Sequence, residues 1–492
     1  MKEISILGSG FSSLSAACYL AKRGYGVTVY EKNATPGGRA RQLSQEGFKF
    51  DMGPTWYWMP DVFERFFADF DKLPSDYYAL IKLNPAYQVY FGKDDTVKIE
   101  DSLEKIMKSF ERIEKGSSLE LYKFMKMAQE NYDIAIKNLV YRPGVSPLEL
   151  ITSQTIQKLD QFASTISREV RRRFTNRKLI QILEFPVLFL GAKPSQTPAF
   201  YSFMNQADFG LGTFHPVNGM YSVVEAMVKL AESFGVRFVY NAAVTAIHVK
   251  SDMATSITVN GEDVKTEIVL SGADYHHTET LLQPNYRMYS EDYWNRKIFA
   301  PSSLLFYVGF DKKIENVCHH TLFFDVDFDI HAESIYDKPN WPEEPLFYAS
   351  FPSKTDESFA PKGQEAAVFL IPLAPGIADS EKIRSVYFEK ILSRFEHLTN
   401  QKVKNHVLFK SSFCVNDFVS EYNSYKGNAY GLANTLFQTA FLRPKLKSKK
   451  VKNLYFTGQL TVPGPGVPPA LISGKLVSEL IQKHHNITIE SN

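Results

Sequence analysis

Apolar and polar positions alternate along this chain in a way that predicts strands and helices in turn. The apolar run Ile4 to Leu7 reads as a buried parallel strand, and helical spacing follows from Leu14 to Ala21. Lys22 and Arg23 suit the last turn of that helix and Gly24 suits its cap. A second strand is predicted over Val27 to Tyr30, and an alternating stretch from Gly47 to Met52 predicts a strand ending in a turn. Residues 102–140 read as helical, with Asp101 or Ser102 as N-cap and Glu104 in the first turn. Leu103, Ile106, Met107, Phe110 and Ile113 carry the helical spacing there, and the charges between them form a solvated face. Pro216-Val217-Asn218-Gly219 opens a helix with Val223, Met227, Leu230 and Phe234 on one face, stopped by Gly235. Strands follow at Val236 to Tyr240, Val244 to Val249 and Ile268 to Leu270, with Asn260-Gly261 as a hairpin signal. Asn453 to Gln459 reads as a strand running into a Gly turn, and Pro463-Gly464-Pro465-Gly466-Val467-Pro468-Pro469 leads into a helix from about Ala470.

The first of these units carries chemistry. Gly8 relieves the backbone where the strand turns, Gly10 lets a pyrophosphate approach the main chain, and the helix that follows aims free N–H groups at an anion. The third small position is Ser13 rather than Gly, giving GxGxxS, with Phe11 and Ser12 inside the turn. Glu31 lies 21 residues beyond Gly10, at the end of the second strand, where a carboxylate can accept hydrogen bonds from a ribose diol. Gly37-Gly38-Arg39 adds a second close-approach turn and a guanidinium suited to phosphate oxygens. The continuation past the acidic residue into GG-R resembles the flavoprotein group of amine oxidases, protoporphyrinogen oxidase and carotenoid desaturases, which implies FAD rather than NAD. The free N–H groups of the last helix suit the electron-rich edge of a reduced flavin.

Composition changes this picture little. A chain of 492 residues, 44% hydrophobic and 22% charged, has room for two to four domains, and a net charge of +2 asks for no nucleic acid. Three scattered cysteines, Cys18, Cys318 and Cys414, argue against a disulfide framework and suit a reducing compartment. Cys318-His319-His320 are neighbours that cannot readily surround one ion, so no metal is expected. The first strand begins at once, leaving no room for a signal peptide, and no run approaches the roughly 18 apolar residues of a membrane span. Arg168, Arg171, Arg172, Arg173, Arg177 and Lys178 precede the apolar stretch Leu179 to Leu190, which Gln181, Glu184 and Pro186 interrupt. Two readings stand side by side: a basic helix face next to a core helix, or a patch docking on anionic lipid headgroups. Residues 443–452, rich in Lys and including Arg443, read as an exposed loop.

Further motifs join the glycine turns in order: Gly47 to Thr55 with Trp56-Tyr57-Trp58-Met59-Pro60-Asp61, Phe189 to Ala192 before Pro194, and Pro216 to Gly219. Ser271 to Thr278, Pro352 to Asp356, and Thr457-Gly458 through Pro468 complete the set. With them the whole chain resembles the bacterial phytoene desaturase (carotenoid desaturase) family, in appearance closest to those of Bacteroidetes. It departs from the pattern at Asn218, where Gly is common, and at Pro469. The resemblance implies an α/β fold: a discontinuous Rossmann-like FAD-binding domain (1–75, 210–300 and 440–492) with an inserted α+β substrate-binding domain and a helical membrane-associating part (76–209 and 301–439). It further implies that Gly8, Gly10, Phe11, Ser12, Ser13, Glu31, Lys32, Gly38, Arg39, Gly53, Pro54, Thr55, Gly458, Gln459, Gly466, Val467 and Pro468 hold FAD, and that Val244 meets the adenine through its backbone.

The family's reaction takes two hydrogens from adjacent saturated carbons beside a conjugated polyene, one as hydride to flavin and one as a proton. The expected substrate is a hydrophobic C40 polyene precursor such as phytoene, with quinone or oxygen reoxidising the flavin at the surface of a membrane. A hydrocarbon offers no polar handle, so an apolar tunnel must recognise it, and the 38 Phe and 26 Tyr are available for its walls and for the core. Asp208, His215 and Glu184 lie near family motifs, but none is assigned as a base. The alternatives are a C-3',4' desaturase of hydroxylated carotenoids, a carotenoid isomerase, an amine oxidase, and a flavin-free prenyl-binding escort protein. No pattern in the chain fixes an oligomeric state. The expected location is the cytoplasm, on the inner face of the cell membrane.

Overall fold

Strand Glu3–Leu7, buried from Ile4 onward, lies at the centre of a five-stranded parallel sheet. A computed structural model of the protein, which describes residues 2–137, 139–435 and 438–485, gives the strand order as Leu454–Phe456, Ile268–Ser271, Glu3–Leu7, Gly26–Tyr30, Arg237–Val239. The side chains at 147, 150, 189 and 190 fall outside the described residues. Widely separated stretches of chain therefore build one sheet, as a discontinuous nucleotide domain requires. Helix Phe11–Lys22 is buried from Phe11 to Ala21 and packs against both Val467–His485 and Met220–Ser233. Gly474 allows the first of these contacts, because a Cβ there would stand 2.5 Å from the Ser12 carbonyl oxygen and 2.6 Å from Ser15 Cβ.

A second, seven-stranded sheet runs Val407–Phe413, Ser302–Phe310, Glu365–Leu373, Phe347–Ser350, His320–Phe323, Tyr87–Gly92, Asp95–Ile99. Ser302–Phe310 is buried throughout and pairs antiparallel along its whole length with Glu365–Leu373. Tyr87–Gly92 joins through the one parallel pairing described in this sheet, with His320–Phe323, so strands from both sides of the nucleotide segments share it. Helices Leu103–Ile113 and Ser117–Lys137, then shorter ones from Ser153 to Glu184, form the remaining layer. Ser102 caps the first of these, accepting from the Lys105 N–H.

The alternating stretch after Gly47 is a strand as expected, the second arm of a hairpin of Gln42–Gln45 with Phe48–Asp51. Other elements differ from the sequence expectation. The last helix begins at Val467, with its prolines inside the first turn. Phe234 sits at the helix C-cap, 37% exposed, whereas Val223, Met227 and Leu230 enter the core. The stretch 443–452 is not an exposed loop: Arg443, Leu446, Ser448 and Val451 are buried. The basic run is a paired surface face. Arg171 meets Glu184, Arg172 and Arg173 meet Glu169, Arg177 meets Asp327 and Lys178 meets Asp95, while Leu179, Ile182 and Leu183 are core. Such pairing leaves little net positive field for lipid headgroups.

Gly474→Val is expected to cost roughly 1–3 kcal/mol by overpacking the two helices, read as a lower midpoint in denaturant unfolding.

Candidate active site

The glycine turn is held from beneath by Glu31. Its Oε2 accepts from the Ser9 N–H (2.9 Å) and hydroxyl (2.7 Å), and its Oε1 accepts from the Asn33 N–H (2.9 Å). The carboxylate is buried yet borders a large cavity, so oxygen lone pairs beyond these bonds remain for a ribose hydroxyl. Gly8, at φ +84°, donates to the Tyr30 carbonyl, which turns the chain back over the sheet. The second glycine turn docks on the first: Gly37 N–H bonds the Ser9 carbonyl, and a Cβ on Gly38 would lie 3.4 Å from Gly10 Cα. Gly10 also borders the cavity, and no atom lies within 4 Å of where its Cβ would be. That bare backbone leaves room for a diphosphate in the cradle.

Ser13, expected in the cofactor site, stands behind it. Its hydroxyl faces Gly272, where any Cβ would collide with it, so glycine on the opposing segment replaces the missing third glycine of the motif. Each of the other expected cofactor residues borders the cavity, from Gly8 and Phe11 through Val244 to Gly458 and Pro468. Lys32 reaches the Ser420 carbonyl at 2.6 Å. Arg39 donates from Nη2 to Ser424 Oγ (2.9 Å), whereas its buried Nε has no partner among the described residues. An orphaned guanidinium donor beside a glycine cradle fits a phosphate oxygen. Burial lowers the Arg39 pKa, and the Asp274 charge opposes that shift. The helix at Val467 offers less than expected: Pro468 and Pro469 have no N–H, and the Ala470 N–H bonds the Gly466 carbonyl.

Sequence reasoning missed Arg443. It is 2% exposed, donates to the Leu432 and Gln459 carbonyls and to Asn434, and braces the Gly458–Gly464 segment from behind. Burial pushes its pKa down to about 10. Its setting in a lysine-rich run hid it, because charge density suggested solvent.

From the cradle the cavity, about 1140 Å³ in volume, extends between the second sheet and the helical layer. Trp56, Ile136, Phe185, Phe203, Phe324 and Leu346 are among the residues that make this part apolar. Asp208, His215 and Glu184 do not border it. Burial pushes Asp208 up to about 8 while Tyr87 donates to it, His215 meets Asp356, and Glu184 is tied to Arg171.

Gly10→Val should fold normally, since φ −71° and ψ 171° suit valine and no protein atom lies within 4 Å of the added Cβ, yet it should bind FAD more than about tenfold more weakly. Flavin absorbance of the purified variant, beside an unchanged unfolding midpoint, checks this.

Comparison with known proteins agrees with this geometry. A family model for flavin-containing amine oxidoreductases matches residues 11–482. The carotenoid 3,4-desaturase of Haloarcula japonica is 39% identical over 486 residues, 98% of each chain. A 4,4'-diapophytoene desaturase of Staphylococcus haemolyticus is 31% identical, over 97% of this chain and 98% of that one. The zeta-carotene-forming phytoene desaturase of Myxococcus xanthus is 29% identical, over 97% and 93%. Among solved structures, an oxidoreductase from Methanosarcina mazei gives a TM-score of 0.64 at 15% identity, covering 97% of this chain and all of that one. Putrescine oxidase bound to putrescine gives 0.61 at 14%, covering 98% and 99%. A glycine cradle joined to an apolar cavity, and full-length identity at this level, establish that the chain belongs to the flavin-containing amine oxidoreductase family, on its carotenoid desaturase branch, with FAD as cofactor.

Proposed function

We propose that the protein desaturates a C40 carotenoid precursor, phytoene, to more conjugated products up to lycopene. The observation that carries this reading is the single continuous cavity, apolar over most of its length, that begins at the nucleotide cradle. FAD, when bound, supplies the hydride acceptor. The chain's own residues do the rest: Glu31, Arg39 and the glycine turns position the cofactor, and the aromatic walls align a linear hydrocarbon and exclude water. A quinone or oxygen would serve as the final electron acceptor.

A substrate of this kind resides in lipid, and the cavity has a rim suited to reach it. Val145, Leu148, Ile151 and Leu159 are 60–71% exposed, and Ile151, Ile156 and Leu159 also border the cavity. Glu149 shapes that rim by accepting from the N–H groups of Gly144, Val145 and Ser146. Exposed apolar residues beside an apolar opening favour shallow insertion into a bilayer. No helix among the described residues is long and apolar enough to cross a membrane.

A second reading, desaturation at C-3',4' of a hydroxylated carotenoid, is favoured by the 39% identity to a carotenoid 3,4-desaturase and by the Thr55 and Tyr348 hydroxyls beside the cavity.

FAD-loaded protein incubated in liposomes with phytoene, and separately with hydroxylated γ-carotene, should yield longer-wavelength pigments from phytoene on chromatography. New pigment from the hydroxylated substrate alone would select the second reading. The double variant Leu148→Asp, Ile156→Asp should keep its flavin but no longer float with liposomes, and a variant that floats like the parent would remove the rim from the proposal.

A further inference from the structure

One wall of the hydrocarbon cavity is polar. Tyr348, on strand Phe347–Ser350, borders the cavity with its hydroxyl 2.8 Å from Thr55 Oγ1 and 2.6 Å from His320 Nδ1. Thr55 follows Gly53-Pro54 directly, so this hydroxyl sits where the cradle residues give way to the apolar walls. His320 is fully buried behind it, stacked on the Trp56 ring at 4.1 Å and 10°, and its Nε2 has no hydrogen-bond partner among the described residues.

The polar row continues inward. The ring centroids of His320 and His319 are 4.4 Å apart, and those of His319 and His215 are 4.7 Å apart. His319 Nδ1 lies 2.8 Å from Thr355 Oγ1, and His215 Nε2 lies 3.3 Å from Asp356 Oδ2. Burial, then the neighbouring imidazoles, holds His319 and His320 well below the ordinary histidine range, so both rest neutral. Burial would raise Asp356, but hydrogen bonds from His215, the Asn218 N–H and Ser358 outweigh it and keep the group a carboxylate. Burial raises the Tyr348 pKa, opposed by Ser350, Thr55 and Trp56, so this residue is a phenol.

We propose that Tyr348 is the catalytic residue that takes the substrate's proton, with His320 as the positioning residue that receives the phenolic proton in turn. The inference rests on the desaturase reading. The hydride leaves one carbon with its electron pair, to FAD. The electron pair of the adjacent C–H bond becomes the new π bond, and that proton goes to Tyr348 Oη as the phenolic proton passes to His320 Nδ1. Tyr348 is a neutral phenol before and after, and His320 carries the positive charge until product leaves, when the proton returns through Tyr348 Oη to water entering the vacated cavity. A carbon next to a polyenyl cation is a strong acid, so a weak base suffices. A depressed imidazole pKa makes His320 quick to release the proton.

Tyr348→Phe and His320→Asn test the relay. Asparagine can keep a hydrogen bond to Tyr348 but cannot be protonated. Both variants should keep flavin content and unfolding midpoint, and both should form product about 100-fold more slowly at unchanged KM. In the cofactor-free protein, nitrogen-15 shifts should place the His320 proton on Nε2 and leave Nδ1 bare at neutral pH. A Tyr348→Phe rate equal to that of the parent, a His320→Asn enzyme at full rate, or a proton on Nδ1 would each overturn the relay. A parent protein that turns over no carotenoid would instead overturn the desaturase reading.

Discussion

The architecture depends on one close approach: two glycine turns that meet backbone to backbone above a buried carboxylate. A diphosphate needs bare main chain, and Gly10 leaves it where Gly37 and Gly38 fold against the Ser9–Gly10 segment. Glu31 fixes that segment through both the N–H and the hydroxyl of Ser9. Such charge-assisted bonds are among the stronger ones available inside a protein. The same carboxylate faces the cavity, so the residue that shapes the cradle is also placed to recognise what lies in it.

The cavity then sets two opposing demands. A hydrocarbon is recognised by shape and dispersion, which calls for aromatic and aliphatic walls and dry surroundings. Removing a proton from it calls for polar atoms. Thr55 and Tyr348 bring two hydroxyls to the wall beside the cradle, with His320 held behind them out of solvent. Stacking on Trp56 places the imidazole, and the row of rings to Asp356 leads polarity away from the hydrocarbon.

Charge on the surface is arranged with similar economy. Arginines that look like a basic patch in the linear sequence are mostly matched by carboxylates, Glu169 within the same run and Glu184 and Asp327 from other segments. Exposed apolar side chains gather instead between Val145 and Leu159, and Ile151, Ile156 and Leu159 of that stretch border the cavity.

The sequence by itself determined the nucleotide half, because glycine turns, strand length and the spacing to Glu31 are local requirements written in consecutive residues. The Gly8, Gly10, Gly38 and Glu31 assignments all border one cavity for that reason. Tertiary structure alone decided what depends on partners distant in the chain. Ser13 is accommodated by Gly272, Arg443 is buried against Gln459 and Leu432, and the basic run is neutralised by Glu169, Glu184, Asp327 and Asp95. Tyr348 and His320 become one unit with Thr55 only because two strands far along the chain pair beside the first cradle. Burial and charge pairing belong to the folded arrangement, and no window of consecutive residues contains them.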